Sequence, residues 1–176
     1  MITKQAIAIA MQGLMSRKSL DKITVKDIVE ECHITRQTFY YHFKDILDLL
    51  EWGLEQNMQQ LLRSCQACES MEDALLNCVR ELDRKEYQRM FANVLRSRYR
   101  DAFQQVLLRE LKLYFAQMFH EKELLGDVPA KEAMFLVEFY SGAMALMLGQ
   151  WSLEGRPDIE ERIRMAVRTM RGELHI

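Results

Sequence analysis

Between positions 35 and 44 the chain reads Thr35-Arg36-Gln37-Thr38-Phe39-Tyr40-Tyr41-His42-Phe43-Lys44, where hydroxyl, amide, guanidinium, imidazole and ammonium groups surround two phenylalanines four residues apart. On a helix Phe39 and Phe43 share one face and turn inward, leaving the polar groups outside. Arg bonds guanine in a bidentate fashion, Gln does the same to adenine, and Tyr, His, Thr and Lys suit phosphate oxygens. The run therefore fits duplex DNA. Thr35 opens the contact surface, with Arg36, Gln37 and Thr38 expected nearest the bases and Thr24, Tyr40, Tyr41, His42 and Lys44 mainly on phosphates. An ordinary polar helix in a bundle is the competing account, and the density of base- and phosphate-seeking groups argues against it.

Other chemistry is thinner. Cys65-Gln66-Ala67-Cys68 invites a metal or redox reading, because on a helix the two thiols share a face. No second pair follows at zinc spacing and the nearest further cysteine is Cys78, so no metal ligand set and no cofactor are expected. A Cys65/Cys68 sensor stays as the lesser alternative. The chain lacks a glycine-rich phosphate loop, a Gly-x-Ser-x-Gly elbow and a His-Glu-x-x-His helix, and its four His are scattered. No catalytic residue is expected, and an enzyme is disfavoured. Arg84, Lys85, Arg89, Arg96, Arg98 and Arg100 are interspersed with acids such as Glu86 and Asp101, which marks a solvated face better than an anion site.

Short helices must position the polar run. Ile7, Ala10, Met11 and Leu14 predict a first helix from Lys4 to around Lys18–Leu20. Thr24 precedes Val25, Ile28 and Val29, with Asp27 three residues on, as in a capping box with Asp replacing Glu. Cys32-His33-Ile34-Thr35 reads as a tight turn, and Thr35 as the N-cap of a third helix over Arg36–Phe43. Asp45 can cap a fourth, whose apolar face runs Leu50, Leu54, Met58, Leu61 and Cys65. Further stripes follow at Leu75, Cys78, Val79 and Leu82; at Phe91, Val94 and Leu95; and at Val106, Leu107, Leu111 and Phe115. Gly126-Asp127-Val128-Pro129 and Gly155-Arg156-Pro157 separate two final helices, Ala130 to about Leu153 and Ile159 to about Met170.

Composition agrees. Seven Gly and two Pro in 176 residues are too few for a protein of many short strands. With 49% hydrophobic and 28% charged residues the chain reads as globular and all-α, with about nine helices. Its formal charge is −2, and residues 1–50 hold seven Lys/Arg against six Asp/Glu. Charge alone does not advertise nucleic acid, so placement must. The apolar stretch Ala6–Met15 is interrupted by Gln12 and followed by Arg17-Lys18, which is not the pattern of an exported chain. Phe135–Trp151 is the most hydrophobic segment, but it carries Glu138 and falls short of the roughly 20 residues that cross a bilayer. It is expected to be a buried or interfacial helix in a cytoplasmic protein without a membrane partner.

The head resembles the TetR family of bacterial regulators. The resemblance rests on Ile23-Thr24-Val25-Lys26-Asp27-Ile28-Val29 together with Thr35 to Lys44, matching a pattern Ser/Thr-x-Gly-Thr-Phe-Tyr-x-His-Phe-Lys. Gln37 stands where a small residue is usual and His33 where Gly is common, a position His tolerates better than most residues. Ile46-Leu47 replaces a usual Lys-Glu, so Ile46→Lys is expected to restore a phosphate contact. Arg36 to Tyr40 also resembles the subgroup that activates dihydroxyacetone-kinase operons through a partner protein.

The resemblance implies a helix-turn-helix head, residues 1–48, on an effector-binding and dimerisation domain, residues 49–176. It further implies a homodimer on operator DNA, controlled by a small molecule or by a protein coactivator. Phe91, Tyr99, Phe103, Tyr114, Phe119 and Phe139 are the expected effector residues, among aromatics that otherwise read as core. The last two helices are the implied interface. There Gly142, Ala145 and Gly149 fall at i, i+3 and i+7 beside Phe135, Phe139 and Leu146, and Ile159, Ile163, Val167 and Met170 give the final helix an apolar face.

Overall fold

The computed structural model describes residues 4–66, 68–121, 128–154 and 158–173. Among them nine α-helices and one 3-10 turn make up the regular structure, and no strand occurs. The chain is all-α, as its periodicities predict. Helix α1 (Lys4–Met15) buries Ile7, Ala8, Met11, Leu14 and Met15. It ends at Met15 rather than near Lys18–Leu20. Ser16 Oγ and Arg17 Nε both donate to the Gly13 carbonyl, at 2.7 and 3.1 Å, and side-chain bonds of this kind compete with continued helix. A 3-10 turn over Leu20–Lys22 leads on to α2 (Val25–Glu31), α3 (Arg36–His42) and α4 (Ile46–Gln66).

Helix α4 carries the core from head to body through Leu49, Leu50, Leu54, Met58 and Leu62. Helices α5 (Met71–Leu82), α6 (Lys85–Leu95), α7 (Arg100–Glu121), α8 (Ala130–Glu154) and α9 (Ile159–Met170) complete the body. Helix α7 is its centre, with Phe103, Val106, Leu107, Leu111, Tyr114, Phe115, Met118 and Phe119 all buried between α4 and α8. Buried apolar residues form one cluster from Ile7 to Val167, continuous across the expected boundary at residue 48. The breaks expected at Gly126-Asp127 and Gly155-Arg156-Pro157 lie outside the described residues.

Two expectations for the last helices need correction. Helix α8 has 25 residues, and among the described residues it is the one helix long and apolar enough to cross a bilayer, so the length argument drawn from Phe135–Trp151 fails. Ser141, Met144, Leu148 and Trp151 turn inward in a body where α8 packs on α7, while Met134, Phe135, Phe139 and Leu146 stay exposed. The helix is therefore buried along one face and exposed along the other. Helix α9 differs from its expected role. Ile159, Ile163 and Val167 are buried within the chain, where α9 packs on α5, and so cannot present their side chains to another molecule. A 3.6-residue stripe says that a face is covered, not by what. The side chain of Met170 lies outside the described residues.

Candidate nucleic-acid interface

The head is shaped by caps. Thr24 Oγ1 accepts from the Asp27 N–H, and Asp27 Oδ2 accepts from the Thr24 N–H at 2.7 Å, closing the capping box of α2. Lys18 Nζ lies 2.8 Å from Asp27 Oδ1. Hydrogen bonding from Lys18, and after it from Thr24, holds the Asp27 carboxyl well below the usual carboxylate range. Helix α2 ends in a Schellman turn, in which the Ile34 N–H reaches the Val29 carbonyl at 2.9 Å and the His33 N–H reaches Glu30 at 3.2 Å. His33 adopts φ 53°, the left-handed geometry this motif demands and glycine usually supplies. Thr35 then caps α3, accepting from the Thr38 N–H at 3.1 Å.

Phe39 and Phe43 are buried to 0% and 1% exposure and hold α3 against the head core, with Phe43 also against Trp52. Outside this anchor Thr35, Arg36, Gln37, Tyr40, Tyr41 and Lys44 are exposed, and Thr38 and His42 are half-buried. Among the described residues no ion pair engages Arg36 or Lys44, so both cations are available to an outside anion. The Tyr41 ring meets His42 edge-on at 5.0 Å and is otherwise 84% exposed.

Three predicted contacts look different in the structure. The Thr24 hydroxyl donates its single proton to Asp27 Oδ2 at 2.6 Å, so it cannot also donate to a phosphate. Thr38 Oγ1 lies 3.0 Å from Thr35 Oγ1, tied to the cap rather than held out to a base. Ile46 is 9% exposed and belongs to the core, so Ile46→Lys would bury a cation instead of extending it to the backbone. The helix start there is formed by Asp45, whose Oδ1 accepts from the Asp48 N–H at 2.9 Å, and by Asp48, whose Oδ2 accepts from the Lys44 N–H at 2.8 Å.

In the body, a cavity of about 530 Å³ opens between α4, α5 and α6. Asn57, Gln60, Leu61 and Ser64 form one wall, Asn77, Arg80 and Glu81 another, and Tyr87 and Phe91 a third. Of the six expected effector residues, Phe91 lines this space. Phe103 packs edge-on against Phe91 at 5.1 Å, while Tyr114 and Phe119 are core residues flanking Phe115. Tyr99 sits beneath the Arg98 guanidinium, which donates to its hydroxyl at 2.7 Å. Phe139 is on the outer face of the body, stacked on Phe135. Selecting aromatics reached one wall of the cavity through Phe91 and missed the other two, which are largely polar. Asn57, Gln60 and Ser64 recur at helical spacing along α4, beside the buried stripe of Leu54, Met58 and Leu62. Arg80 is paired outward, through Nε and Nη2, with Glu160 of α9 at 3.2 and 3.4 Å.

Cys65 and Cys68 do not share a helix face, since α4 ends at Gln66. The Cys68 sulfur accepts from Asn77 Nδ2 at 3.2 Å, and the Cys65 side chain lies outside the described residues. No group of three or more metal-ligating residues occurs among the described residues.

Two capped helices at a tight turn, the second with an exposed polar face on an apolar anchor, define a helix-turn-helix regulator. Sequence comparison agrees: residues 12–51 match the profile of bacterial regulatory proteins of the tetR family, and residues 69–172 that of a transcriptional regulator C-terminal region. The chain belongs to the TetR family of transcription regulators, which bind operator DNA and are not enzymes. Over 92 residues it is 34% identical to the HTH-type dhaKLM operon transcriptional activator DhaS of Lactococcus lactis subsp. lactis (strain IL1403), a match covering 51% of this chain and 49% of that protein. It thus spans about half the length of this relative. A solved structure of a dihydroxyacetone kinase operon activator DhaS has the same fold, with a TM-score of 0.74, 23% identity and coverage of 98% of this chain and 96% of that one. The fatty acid degradation regulator FadR from Bacillus halodurans is also similar, with a TM-score of 0.64 at 13% identity, covering 98% of this chain and all of that one.

Proposed function

We propose that the protein binds a two-fold operator as a homodimer, with residues 1–48 reading DNA and residues 49–176 holding the dimer and an effector. The exposed polar face of α3 carries this reading. Arg36 and Gln37 are the base-contacting residues, while Thr35, Tyr40, Tyr41, His42 and Lys44 hold the backbone; Thr24 and Thr38 act through the caps. Two heads must sit about one helical turn apart to grip two half-sites, which requires a partner copy. The outer face of α8 suits that partner: Phe135, Phe139 and Leu146 are exposed, and a Cβ added at Gly142 or Gly149 meets nothing within 4 Å. Ala145 lies in the same stripe.

The cavity between α4, α5 and α6 is the proposed effector site, and its volume lies in the range of small-molecule pockets. The activator role of the Lactococcus relative and of the similar solved structure supports a second element, activation of a dihydroxyacetone kinase operon, for which a protein coactivator is the alternative effector. Selection of bound DNA from a random pool tests the main reading. A two-fold symmetric consensus is expected, and enrichment of asymmetric or unrelated sequences overturns it. Footprinting at the promoter of a dihydroxyacetone kinase operon in the same genome tests the second.

A further inference from the structure

Helix α1 ends at Met15 and the 3-10 turn begins at Leu20, so the link between them leaves backbone groups outside any helical ladder. One side chain from the body satisfies three of them. Asn93 of α6 donates through Nδ2 to the carbonyls of Met15 and Lys18, at 2.8 and 2.9 Å, and accepts at Oδ1 from the Leu20 N–H at 2.8 Å. Ser19, at the N-cap of the turn, makes no capping bond with its own side chain, so Asn93 supplies that cap from more than seventy residues away. Just beyond α6 the Arg98 N–H donates to Asp21 Oδ1 at 3.1 Å, a second tie to the same turn.

Elsewhere the head meets the body mainly through apolar contact, with Lys4 Nζ also lying 5.9 Å from the centre of the Trp52 ring. Ala8, Met11 and Met15 of α1 surround a small gap with Leu49, Leu50 and Leu54 of α4 and Met90 of α6. Apolar contact is non-directional and tolerates small rotations. A planar amide bonded at three points on both sides of the link does not, because each bond weakens steeply with angle. The direction of the head is therefore held by Asn93 and, more weakly, by Asp21. Their partners lie outside α2 and α3, so the base-reading surface is untouched.

We infer that Asn93, seconded by Asp21, fixes the angle of the head on the body and thereby the spacing between half-sites that the dimer accepts, without contacting DNA. This rests on the two-fold reading above. The test offers the full-length protein a library in which both selected half-sites are kept and the spacer is varied base by base. The parent is expected to select one narrow spacer. Asn93→Leu, which keeps side-chain bulk and removes the three bonds, should lower discrimination against a spacer one base pair longer by about tenfold and leave the preferred bases of each half-site unchanged.

Asp21→Ala, at an exposed position, should broaden the spacer profile in the same direction by less. Val94→Ala, which weakens the core beside Asn93 and leaves its bonds in place, should lower the melting temperature and keep the narrow profile. A parental profile in Asn93→Leu, or in Asp21→Ala should the former not fold, overturns the inference. Equal broadening by Val94→Ala does the same. A parent that selects no two-fold site overturns the dimer reading and this inference together, whereas a two-fold site with unchanged spacing in the variants overturns this inference alone.

Discussion

Tyr40 on α3 and Phe139 on α8 are equally exposed, each at 56%, yet they stand on surfaces of opposite character. Around Tyr40 lie Arg36, Gln37, Tyr41 and Lys44, all exposed and all able to bond bases or phosphates. Around Phe139 lie Phe135, Leu146 and Gly142, with nothing to offer an anion. An exposed aromatic is in itself unremarkable; its neighbours determine whether the surface gains by meeting DNA or by leaving water against another protein. Under the proposed reading the two faces are separate inputs to one function, and each can be disabled without the other.

Ala145→Glu should have the largest effect. A charge placed without a partner in the α8 contact is expected to cost about 3–5 kcal/mol of association, read by sedimentation as a monomer at micromolar concentration while the fold persists. Ile163→Ala should do the reverse on the neighbouring helix. It opens a void in a fully buried site and should cost about 2–4 kcal/mol of folding stability in urea titration, with the dimer constant of the folded protein unchanged.

On α3, Gln37→Ala should change base preference at one operator position by about 1–3 kcal/mol, whereas Lys44→Ala should weaken all sequences alike and reduce the salt slope by about 1. Equal effects of the two on every sequence would erase the distinction between reading and gripping. The smallest effect is acid sensitivity of the head. The Asp27 carboxyl is held below its unfolded value by Lys18 and Thr24, so its contribution is present above the unfolded carboxylate value near 4 and is lost as pH falls through the folded value. Thermal melts from pH 5 down to pH 2 should drop less in Asp27→Asn than in the parent.

The head was legible because its information is local. A capping box, a turn with His33 and a pair of inward phenylalanines each occupy a few consecutive residues, and the structure has all three at the expected positions. Hydroxyl commitments were not legible, since whether Thr24 donates to Asp27 or outward depends on a rotamer. In the body periodicity located α5 to α9, but the family resemblance implied a partner copy for the α9 stripe, and α5 covers it. The cavity between α4, α5 and α6 escaped for a related reason. Phe103, Tyr114 and Phe119 look like a pocket in sequence and are a filled core in space, while the open wall is built from the side chains of Asn57, Gln60 and Ser64.

The continuous core has a consequence for anyone building hybrid regulators from this chain. Severing it after residue 48 would part Ala8, Met11 and Met15 from Leu49, Leu50 and Leu54, the surfaces that keep α1 dry. A transplanted reader must therefore travel with the first turns of α4, and its recipient must offer a counterpart to Met90. What is inherited as a unit here is a packing neighbourhood, longer than the recognition motif and drawn from two distant stretches of chain.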